Sequence, residues 1–563
     1  MITFALINIE SIKSDIRKYQ ILSIILYLLV QIISLITPLL MGFVIDEYIP
    51  NKEINKIIFG VILFVSIPLI SVSSQSLYNY LIINFGRKKG NDIAIEIMRK
   101  MIYQDNSYFD REKSLELLSY SSKEAVGYVN FYINDMSKLY VNVIISVVIF
   151  VVLLFLNPYL ALIQLLYIPL TIFPVKKMIK NIELEVTQIV TKNAEINQTK
   201  GDVFKSIEFI KLNRLEEKKI EEVKNKNNFI NKIWGKVAAL DTTSGIWSSG
   251  FVTVLFTGIT FIIGALFIVL ETYDLKIGEL VSIITYCGLL YSNVNVIIQS
   301  NINKKKKDAE YSKLFSYLEL NGEIEENTNK KEFKLHNSID FIDCNFKYND
   351  ETIALKNINL TIQKGKWTGI IGKSGSGKST LLDLITKLYR VSDSQILVDG
   401  IDINKIDTFS IREKVTKVTQ DIVLFPGTIE DNMKLINAKI TEKEIIEVLD
   451  FVELNDYINS LPKGIKTDVG EAGKLMSGGE KQRLSIAMGL IRGNKILLLD
   501  EITSALDIKT EEKIVDNLKK LVNEGYTIVS ISHKFGFLKY ADIIYTISDG
   551  EITKVEVNSN GSN

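Results

Sequence analysis

The sequence predicts two parts, an all-α domain of six transmembrane helices followed by an α/β domain. Two observations lead to this prediction. Long runs without any charged side chain fill most of the first part of the chain. After about residue 320, short β-like runs alternate with helical segments, which is typical of a parallel sheet flanked by helices. We therefore divide the 563 residues into a transmembrane domain at 1–320, a polar linker at 321–335 and a second domain at 336–563.

The composition excludes several classes of protein. The 66 Lys and Arg residues balance the 66 Asp and Glu residues, so the overall charge gives no reason to expect a nucleic-acid partner. Cys287 and Cys344 are the only cysteines, which excludes a disulfide scaffold and a multi-cysteine zinc or iron–sulfur site. His336 and His533 are the only histidines, which excludes a His-rich metal site. Since the chain is 47% hydrophobic and also 23% charged, an apolar part joined to a polar part is expected.

Six stretches are long and apolar enough to cross a membrane. A spanning helix needs about 20 predominantly apolar residues. The stretches lie at 20–45, 57–85, 141–175, 242–270 and 280–303, and the third of these counts twice because Asn157-Pro158 interrupts it as a tight turn. Within these limits the spans contain no Asp, Glu, Lys or Arg, which predicts an uncharged amphipathic cavity. The polar residues in them include Gln31, Gln75, Asn79, Gln164, Trp247, Tyr286, Tyr291, Asn293, Asn295 and Gln299.

Basic residues set the expected orientation, because cytoplasmic flanks of spans carry an excess of Lys and Arg. They precede the first span and follow the second, fourth and sixth spans, as at Arg17, Arg87, Lys176 and 304–307. The sequence thus predicts a multi-pass protein of the cell membrane with both termini in the cytoplasm. The charged segments between spans, at 86–138 and 176–241, are expected to continue the spans as long cytoplasmic helices.

A phosphate-binding loop is predicted at 372–379, where Gly-Lys-Ser-Gly-Ser-Gly-Lys-Ser follows a β-like run and precedes a helix. Glycines allow backbone N–H groups to surround phosphate oxygens, and the helix N-terminus adds a favourable dipole. Lys378 can neutralise the β- and γ-phosphates, and the Ser379 hydroxyl can bind Mg²⁺. The residues assigned to the nucleotide here are Gly372, Ser374, Gly375, Gly377, Lys378, Ser379 and Thr380.

A buried strand ending in two acids completes this site at 496–501. Four apolar residues in a row suit a central strand covered on both faces. Asp500 is expected to hold the Mg²⁺ shell, and Glu501 to polarise an attacking water as a general base. The predicted fold class is therefore an all-α six-helix transmembrane domain plus an α/β P-loop NTPase domain.

Segment 475–483, Leu-Met-Ser-Gly-Gly-Glu-Lys-Gln-Arg, resembles the signature motif of ATP-binding cassette (ABC) proteins. Further motifs of that family follow in order: an adenine-stacking aromatic, a Q-loop glutamine, an X-loop, a D-loop and a switch histidine. Spans and cassette together resemble an ABC exporter half-transporter of the type IV fold. The residues that this resemblance assigns to nucleotide, metal or catalysis are Tyr348, Gln420, Ser477, Gly478, Gly479, Glu480, Asp507 and His533, with the X-loop at 467–473.

The resemblance implies ATP and Mg²⁺ as cofactors and an ATPase coupled to transport. In this family each ATP lies between the P-loop of one cassette and the signature of another, so a second half-transporter is required. Since the motifs on both faces are intact, we prefer a homodimer and keep a heterodimer open. Glu480 departs from the commonest signature, which has glutamine there, and its charge opposes nucleotide binding, although some active members resemble this variant. Segments 114–120 and 206–212 would be the coupling helices.

The cargo is the least determined part of the prediction. The uncharged amphipathic spans suit a peptide, a lipid or a drug-like amphiphile, and the membrane half is similar to peptide and bacteriocin exporters of low-GC bacteria. We rank export of an amphipathic peptide first and multidrug or lipid export second. A membrane-tethered ATPase that signals without transport is a third hypothesis. The expected partners are a second half-transporter, the lipid bilayer and the amphipathic substrate.

Overall fold

A computed structural model describes residues 9–111, 124–311, 314, 317, 330–348, 353–420, 423–470 and 473–558. The chain forms two compact units. The first comprises Met1–Gln104 and Arg111–Leu320, and the second comprises Asp105–Asp110 and Asn321–Asn563. A short segment from the first 320 residues thus belongs to the second unit.

The first unit is helical. Among the described residues, six helical segments are long and apolar enough to cross a membrane: Ser14–Tyr48, Ile54–Ile102, Ala125–Leu156, Pro158–Lys205, Glu216–Val269 and Ile277–Asp308. The α-helices of the first 311 residues are α1 (Ile9–Ser34), α2 (Ile36–Phe43), α3 (Ile54–Ile102), α4 (Asn106–Arg111), α5 (Ala125–Asn130), α6 (Met136–Leu156), α7 (Pro158–Lys205), α8 (Ile207–Leu212), α9 (Glu216–Gly245), α10 (Thr253–Val269) and α11 (Ile277–Glu310).

The predicted tight turn between the third and fourth spans is present. Asn157 is extended (φ −157°), and its side-chain oxygen accepts a hydrogen bond from the Leu160 N–H at 3.0 Å, so it caps the N-terminus of α7. Pro158 occupies the first helical position, where a missing N–H is tolerated. Helix α7 is 48 residues long, about 72 Å, so it extends far beyond the roughly 30 Å of hydrocarbon.

Within the described residues, short π-helical stretches lie in three spans, at Val44–Tyr48, Phe131–Asp135 and Ile246–Val252. The first of them ends the first span, and the other two each connect two α-helices of the same span. A π-turn inserts one extra residue per turn and so changes the direction in which the following side chains point.

The loop end of the first span is bonded to the start of the sixth. The Asp46 carboxylate accepts hydrogen bonds from the backbone N–H groups of Gly278 (2.6 Å) and Glu279 (2.9 Å) and so caps α11. The backbones lie very close here, since a Cβ on Gly278 would stand 2.3 Å from the Gly42 carbonyl oxygen. Lys276 adds an ion pair with Glu47 at 3.4 Å.

The second unit contains two sheets. A four-stranded sheet has the order β2-β1-β4-β5, and a six-stranded sheet has the order β10-β9-β3-β8-β7-β6. The strands are β1 (Ser338–Lys347), β2 (Ile353–Gln363), β3 (Trp367–Gly372), β4 (Ile396–Val398), β5 (Ile401–Asp402), β6 (Val415–Val418), β7 (Ile496–Asp500), β8 (Thr527–Ile531), β9 (Ile543–Ser548) and β10 (Glu551–Val557). Its helices are α12 (Lys378–Ile385), α13 (Thr408–Lys414), α14 (Ile429–Ile436), α15 (Glu442–Phe451), α16 (Asn455–Ser460), α17 (Gly478–Leu490) and α18 (Ile508–Asn523).

Strands β3, β6, β7 and β8 form the parallel centre of the six-stranded sheet, as the alternation of β-like runs and helical segments predicted. Strand β3 pairs with β8, β8 with β7, and β7 with β6, all in parallel. Every residue of β7 is buried, as expected for a central strand covered on both faces. Because carboxyl ends of parallel strands meet at one edge of a sheet, the loops after β3, β6, β7 and β8 lie together.

Segment Asp105–Asp110 contacts the region that follows α12. The Asn106 N–H donates to the Leu388 carbonyl oxygen at 3.1 Å, and the Tyr389 hydroxyl donates to Asp110 Oδ2 at 2.8 Å. Arg390 forms an ion pair with Asp105 at 3.3 Å. The coupling segment that we predicted at 114–120 lies outside the described residues, and the one predicted at 206–212 falls on helix α8.

Candidate functional site

The phosphate-binding loop connects β3 to α12, as the sequence predicts. Gly375 and Gly377 have φ values of +77° and +96°, a conformation that favours glycine. Space also requires glycine at two positions. A Cβ on Gly372 would stand 2.2 Å from the carbonyl oxygen of Ile547, and a Cβ on Gly377 would stand 2.4 Å from the carbonyl oxygen of Ala354. The neighbouring strands therefore fix the path of this loop.

Lys378 lies inside the loop, with only 4% of its side chain exposed. Its ammonium group donates hydrogen bonds to the carbonyl oxygens of Gly372 (3.0 Å) and Lys373 (2.8 Å) and lies 3.8 Å from Glu501 Oε1. Burial lowers the pKa of Lys378, and the nearby carboxylates of Glu501 and Asp500 oppose that shift. A cation held at the centre of a ring of backbone groups is suited to a phosphate.

Ser376 is a loop residue that the sequence analysis did not assign. It is 5% exposed, and its Oγ has no hydrogen-bond partner among the described residues. Buried hydroxyls nearly always have a partner, so an orphaned one in this loop fits a phosphate oxygen as the missing group. The signal in the sequence was its position between Gly375 and Gly377.

Ser379 and Asp500, predicted as Mg²⁺ ligands, lie together although 121 residues separate them. The Ser379 hydroxyl donates to Asp500 Oδ1 at 3.0 Å. Burial raises the pKa of Asp500, while Lys417 and Ser379 act in the opposite direction. A hydroxyl and a carboxylate are hard oxygen ligands of the kind that Mg²⁺ takes beside phosphates, so these two residues fit the ion.

Glu501 and His533 are in contact, with His533 Nε2 2.7 Å from Glu501 Oε1. Glu501 comes directly after β7 and has a φ of +50°, which is uncommon for a residue with a side chain. Its backbone N–H donates to the Ile531 carbonyl oxygen at 3.2 Å, which joins the ends of β7 and β8. Strained residues of this kind concentrate at functional sites, and here the strain places a carboxylate beside a phosphate loop.

Gln420 and Tyr348 are placed near this cluster by different elements of the fold. Gln420 is exposed and follows strand β6. Because Val418 of β6 pairs with Leu499, which precedes Asp500, Gln420 lies at the edge of the sheet where Asp500 lies. The Tyr348 hydroxyl lies 2.8 Å from Thr380 Oγ1 at the start of α12. The Tyr348 ring therefore borders the phosphate loop, as an adenine-stacking residue would.

The signature segment forms the start of α17. Ser477 is the N-cap, its N–H donates to Glu480 Oε2 at 2.7 Å, and the Glu480 N–H lies 3.4 Å from Ser477 Oγ. This reciprocal arrangement is a capping box. Gly478 and Gly479 form the first turn, and a Cβ on Gly479 would stand 3.0 Å from the Ala505 carbonyl oxygen. Glu480 thus has a structural partner, which the sequence analysis did not foresee.

Gln482 connects the signature helix α17 to the D-loop, which is the segment 504–507. Its amide nitrogen donates to Ser504 Oγ (2.7 Å), and its amide oxygen accepts from the Ala505 N–H (2.9 Å), with the side chain 5% exposed. The amide nitrogen also lies 3.5 Å from the carbonyl oxygen of Glu501. The sequence analysis assigned no role to Gln482. Asp507, at the end of the D-loop, caps α18 by accepting from the Thr510 N–H at 3.0 Å.

The membrane unit contains an open cavity of about 620 Å³. Tyr291, Asn295 and Gln299, three of the polar residues noted in the sequence, line it. Asp135 and Lys138 line it as well, so the expectation of an uncharged cavity was wrong. The reason is that the helix that contains the third span begins at Ala125, so residues that precede the predicted limit of 141 also line the cavity.

Other polar residues noted in the spans join helices instead. Gln164 accepts from the Tyr291 hydroxyl (2.5 Å) and donates to Thr260 (2.9 Å). The Tyr286 hydroxyl donates to the Leu35 carbonyl oxygen at 2.5 Å, and Trp247 Nε1 donates to that of Leu170 at 3.1 Å. These bonds stabilise the bundle.

Comparison with known families and structures gives consistent results. Residues 20–294 match the family described as ABC transporter transmembrane region, and residues 355–504 match the family described as ABC transporter. An uncharacterised ABC transporter ATP-binding protein of Bacillus subtilis is 29% identical over 92% of this chain and 89% of its own length. A Staphylococcus aureus protein, provisionally named a multidrug export ATP-binding/permease protein, is 27% identical over 95% of this chain and 94% of its own.

Two further similarities concern part of the chain and the fold. The ATP-dependent lipid A-core flippase of Syntrophus aciditrophicus is 36% identical over 49% of this chain and 46% of its own length. The structure of a bacterial Atm1-family ABC exporter with ATP bound superposes with a TM-score of 0.86 at 20% identity, covering 96% of both chains. The last similarity concerns the fold alone.

Proposed function

Because this chain belongs to the ABC exporters, as a half-transporter whose transmembrane region is fused to an ATP-binding domain, we propose that it exports an amphipathic peptide. It is a multi-pass membrane protein and an ATPase coupled to transport. We propose the cell membrane as its location, with both termini in the cytoplasm, and the domain limits 1–320, 321–335 and 336–563.

The proposed hydrolytic site is the edge where β3, β7 and β8 end. Glu501 would polarise the attacking water, and His533, 2.7 Å away, would hold that carboxylate in position. Lys378 would leave the carbonyl oxygens of its own loop to bind the β- and γ-phosphates. Ser379 and Asp500 would hold Mg²⁺, with Gln420 beside it, and the ion would neutralise charge that develops on the phosphates.

The proposed assembly is a homodimer, with a heterodimer as the alternative. The N-terminus of α17, with Ser477, Gly478, Gly479 and Glu480, would bind the ATP held by the P-loop of the second chain. ATP would favour the closed pair of cassettes because it contacts both only in that state. Both faces of this chain carry the residues that such an arrangement needs.

The observation that carries the peptide assignment is the amphipathic lining of the 620 Å³ cavity, where polar side chains lie among a larger apolar surface. Its volume lies within the range of sites that bind drug-sized ligands. Side-chain amides and hydroxyls on the wall, as at Ser249, Thr253, Asn295 and Gln299, can hydrogen-bond peptide groups. The Ser249 and Thr253 hydroxyls already donate to the carbonyl oxygens of Gly245 (2.7 Å) and Ser248 (3.0 Å) and keep capacity to accept. A lipid tail or a purely apolar compound would leave the amides of Asn295 and Gln299 without a partner.

Multidrug or lipid export is the second candidate function. It is favoured by relatives named for multidrug export and for lipid A-core flipping. The two candidates differ in what crosses the membrane, whereas their ATPase chemistry is the same.

The test is flux in proteoliposomes that contain the purified protein with its cassettes outward. A fluorescent amphipathic hexapeptide, a cationic dye and a fluorescent lipid are compared, each with ATP and with Glu501→Gln as the inactive control. ATP-dependent uptake of the peptide supports the proposal. Uptake of only dye or lipid supports the second candidate, and ATP turnover without any flux would indicate a signalling ATPase.

A further inference from the structure

We propose that Asp135 and Lys138 make the membrane cavity a receptor for zwitterionic substrates, that is, for peptides whose amino and carboxyl termini are both free. This inference rests on the proposed export function and names the ionic form of its substrate. Asp135 would bind the terminal ammonium group and Lys138 the terminal carboxylate.

The two charges form no close ion pair within the described residues, although Lys138 and Lys307 both lie within electrostatic range of Asp135. Both side chains are half-buried on the cavity wall, and no Lys, Arg, Asp or Glu of the part of the chain that the structure describes pairs with either within 4 Å. The Asp135 carboxylate accepts one hydrogen bond, from the Asn134 amide at 3.1 Å. The Lys138 ammonium lies 5.9 Å from the centre of the Tyr78 ring.

An acid and a base three residues apart on a helix are close enough to pair with each other. Here they face the same cavity without pairing. Ionisable groups at a membrane span usually face a partner or a water-filled cavity, and they often mark a binding site or a transport path. A substrate that carries both charges would give each group a partner and leave no net charge in the cavity.

Two of the π-helical stretches border this cavity. Asp135 ends the stretch Phe131–Asp135 of the third span, and Ser249 lies within the stretch Ile246–Val252 of the fifth. π-Turns are rare and occur frequently at functional sites. Finding two of them, from different spans, on one cavity wall supports a site that is built to aim polar side chains inward.

The sixth span supplies a wall that suits the middle of a peptide. Asn295, Gln299 and Asn303 repeat every four residues, so they lie on one face of α11, and all three line the cavity. Gly288 lines the cavity near the other end of this face, where a Cβ would meet nothing within 4 Å, so there is room for a side chain of the substrate. Amides along the wall and charges on the third span together match a short peptide.

The experiment uses one hexapeptide, Ser-Leu-Tyr-Ala-Leu-Ser, in four forms: free ends, N-acetylated, C-amidated and blocked at both ends. ATP-dependent uptake into proteoliposomes is measured over a range of concentrations for the full-length protein. We expect the form with free ends to need the lowest half-saturating concentration. Loss of one charge-assisted contact should raise that concentration about 10-fold.

The variants assign each charge separately. Lys138→Met should raise the half-saturating concentration about 10-fold for the two forms with a free carboxylate and leave the two amidated forms within about twofold. Asp135→Asn should affect only the two forms with a free amine. Lys138→Arg and Asp135→Glu should keep the preference for the peptide with free ends. Lys89→Met removes the Lys89–Asp15 ion pair (2.9 Å) on the surface, and it is the control for a change of charge elsewhere.

Three outcomes overturn the inference. Equal transport of all four forms by the unmodified protein would remove the zwitterion preference while leaving peptide export intact. Equal loss of all four forms in Lys138→Met and Asp135→Asn, with no rescue by Lys138→Arg and Asp135→Glu, would make the two residues structural. Transport of a cationic dye without any form of the peptide would refute the proposed peptide substrate and the inference with it.

Discussion

Substitution of Gln482 tests the link between the signature helix and the D-loop. Gln482→Leu keeps a similar volume but removes the hydrogen bonds to Ser504 (2.7 Å) and Ala505 (2.9 Å). Each neutral hydrogen bond contributes about 0.5–1.5 kcal/mol, and both partners lie in a partly buried region, so we expect a loss of about 2 kcal/mol. For a unit of this size, 1 kcal/mol lowers the Tm by about 2–4 °C, which gives a decrease of about 4–8 °C.

The assay is thermal unfolding of the full chain in lipid nanodiscs, followed by tryptophan fluorescence. Trp367 is fully buried in the second unit and its Nε1 donates to Ser530 Oγ at 2.7 Å, so its emission reports unfolding of that unit. We also expect lower ATPase activity, because the Gln482 amide holds the segment that follows Glu501. Lys481→Leu is the matched control, since it introduces the same residue at the neighbouring position, and its Tm should change by at most about 1–2 °C.

The reasoning is refuted if Gln482→Leu unfolds within about 1 °C of the unmodified protein. It is also refuted if Lys481→Leu lowers the Tm as much as Gln482→Leu does, because the effect would then come from the added leucine.

Three further predictions concern single side chains of the second unit. Ser376→Ala should weaken ATP binding without lowering the Tm, because the Ser376 hydroxyl has no hydrogen-bond partner among the described residues. A fluorescent ATP analogue measures the affinity, and an unchanged affinity would contradict a contact between this hydroxyl and phosphate. Glu480→Ala should lower the Tm by about 1–4 °C, because it removes the acceptor of the Ser477 N–H. Glu480→Gln should keep most of the stability and the ATPase activity. A larger decrease in Tm for Glu480→Gln than for Glu480→Ala would be inconsistent with capping. Burial would raise the pKa of Asp399, but three backbone N–H groups of residues 336–338 outweigh it and hold the pKa below its ordinary value. Asp399 therefore contributes stability that is fully present above the unfolded pKa of about 3.9 and is lost as the pH falls through the lower folded pKa. The difference in Tm between the unmodified protein and Asp399→Asn should shrink as the pH falls below about 3.9, and it should stay constant at higher pH.

The nucleotide site was largely predictable because its motifs combine local sequence with a simple rule of sheet geometry. The glycines of the P-loop are adjacent in sequence, and Asp500 and Glu501 end a strand that is recognisable by its four apolar residues. The carboxyl ends of parallel strands meet at one edge of a sheet. This rule predicts that Ser379 lies near Asp500 and His533 near Glu501, as the structure shows.

Features that depend on the direction of one side chain were not predictable. Gln482 and Ser376 are polar residues inside recognised motifs, and only the packed structure reveals that one bridges two segments and the other lacks a partner. Asp135 and Lys138 precede the predicted start of the third span, and their place on the cavity wall was missed because a hydropathy run marks where charge is absent and not where a helix begins. The association of Asp105–Asp110 with the second unit depends on contacts across more than 250 residues of sequence.

The bond between the first and sixth spans has a consequence for biosynthesis. Asp46 and its donor Gly278 are 232 residues apart, and translation proceeds at about 5–20 residues per second. Roughly 12–46 s therefore pass between the synthesis of Asp46 and that of the backbone that it caps. During this interval the Asp46 side chain lacks the two backbone donors that it has in the folded chain, because residues 278 and 279 have not been made. The Asp46 cap is thus a late step in folding, and a chain truncated before residue 278 cannot complete it.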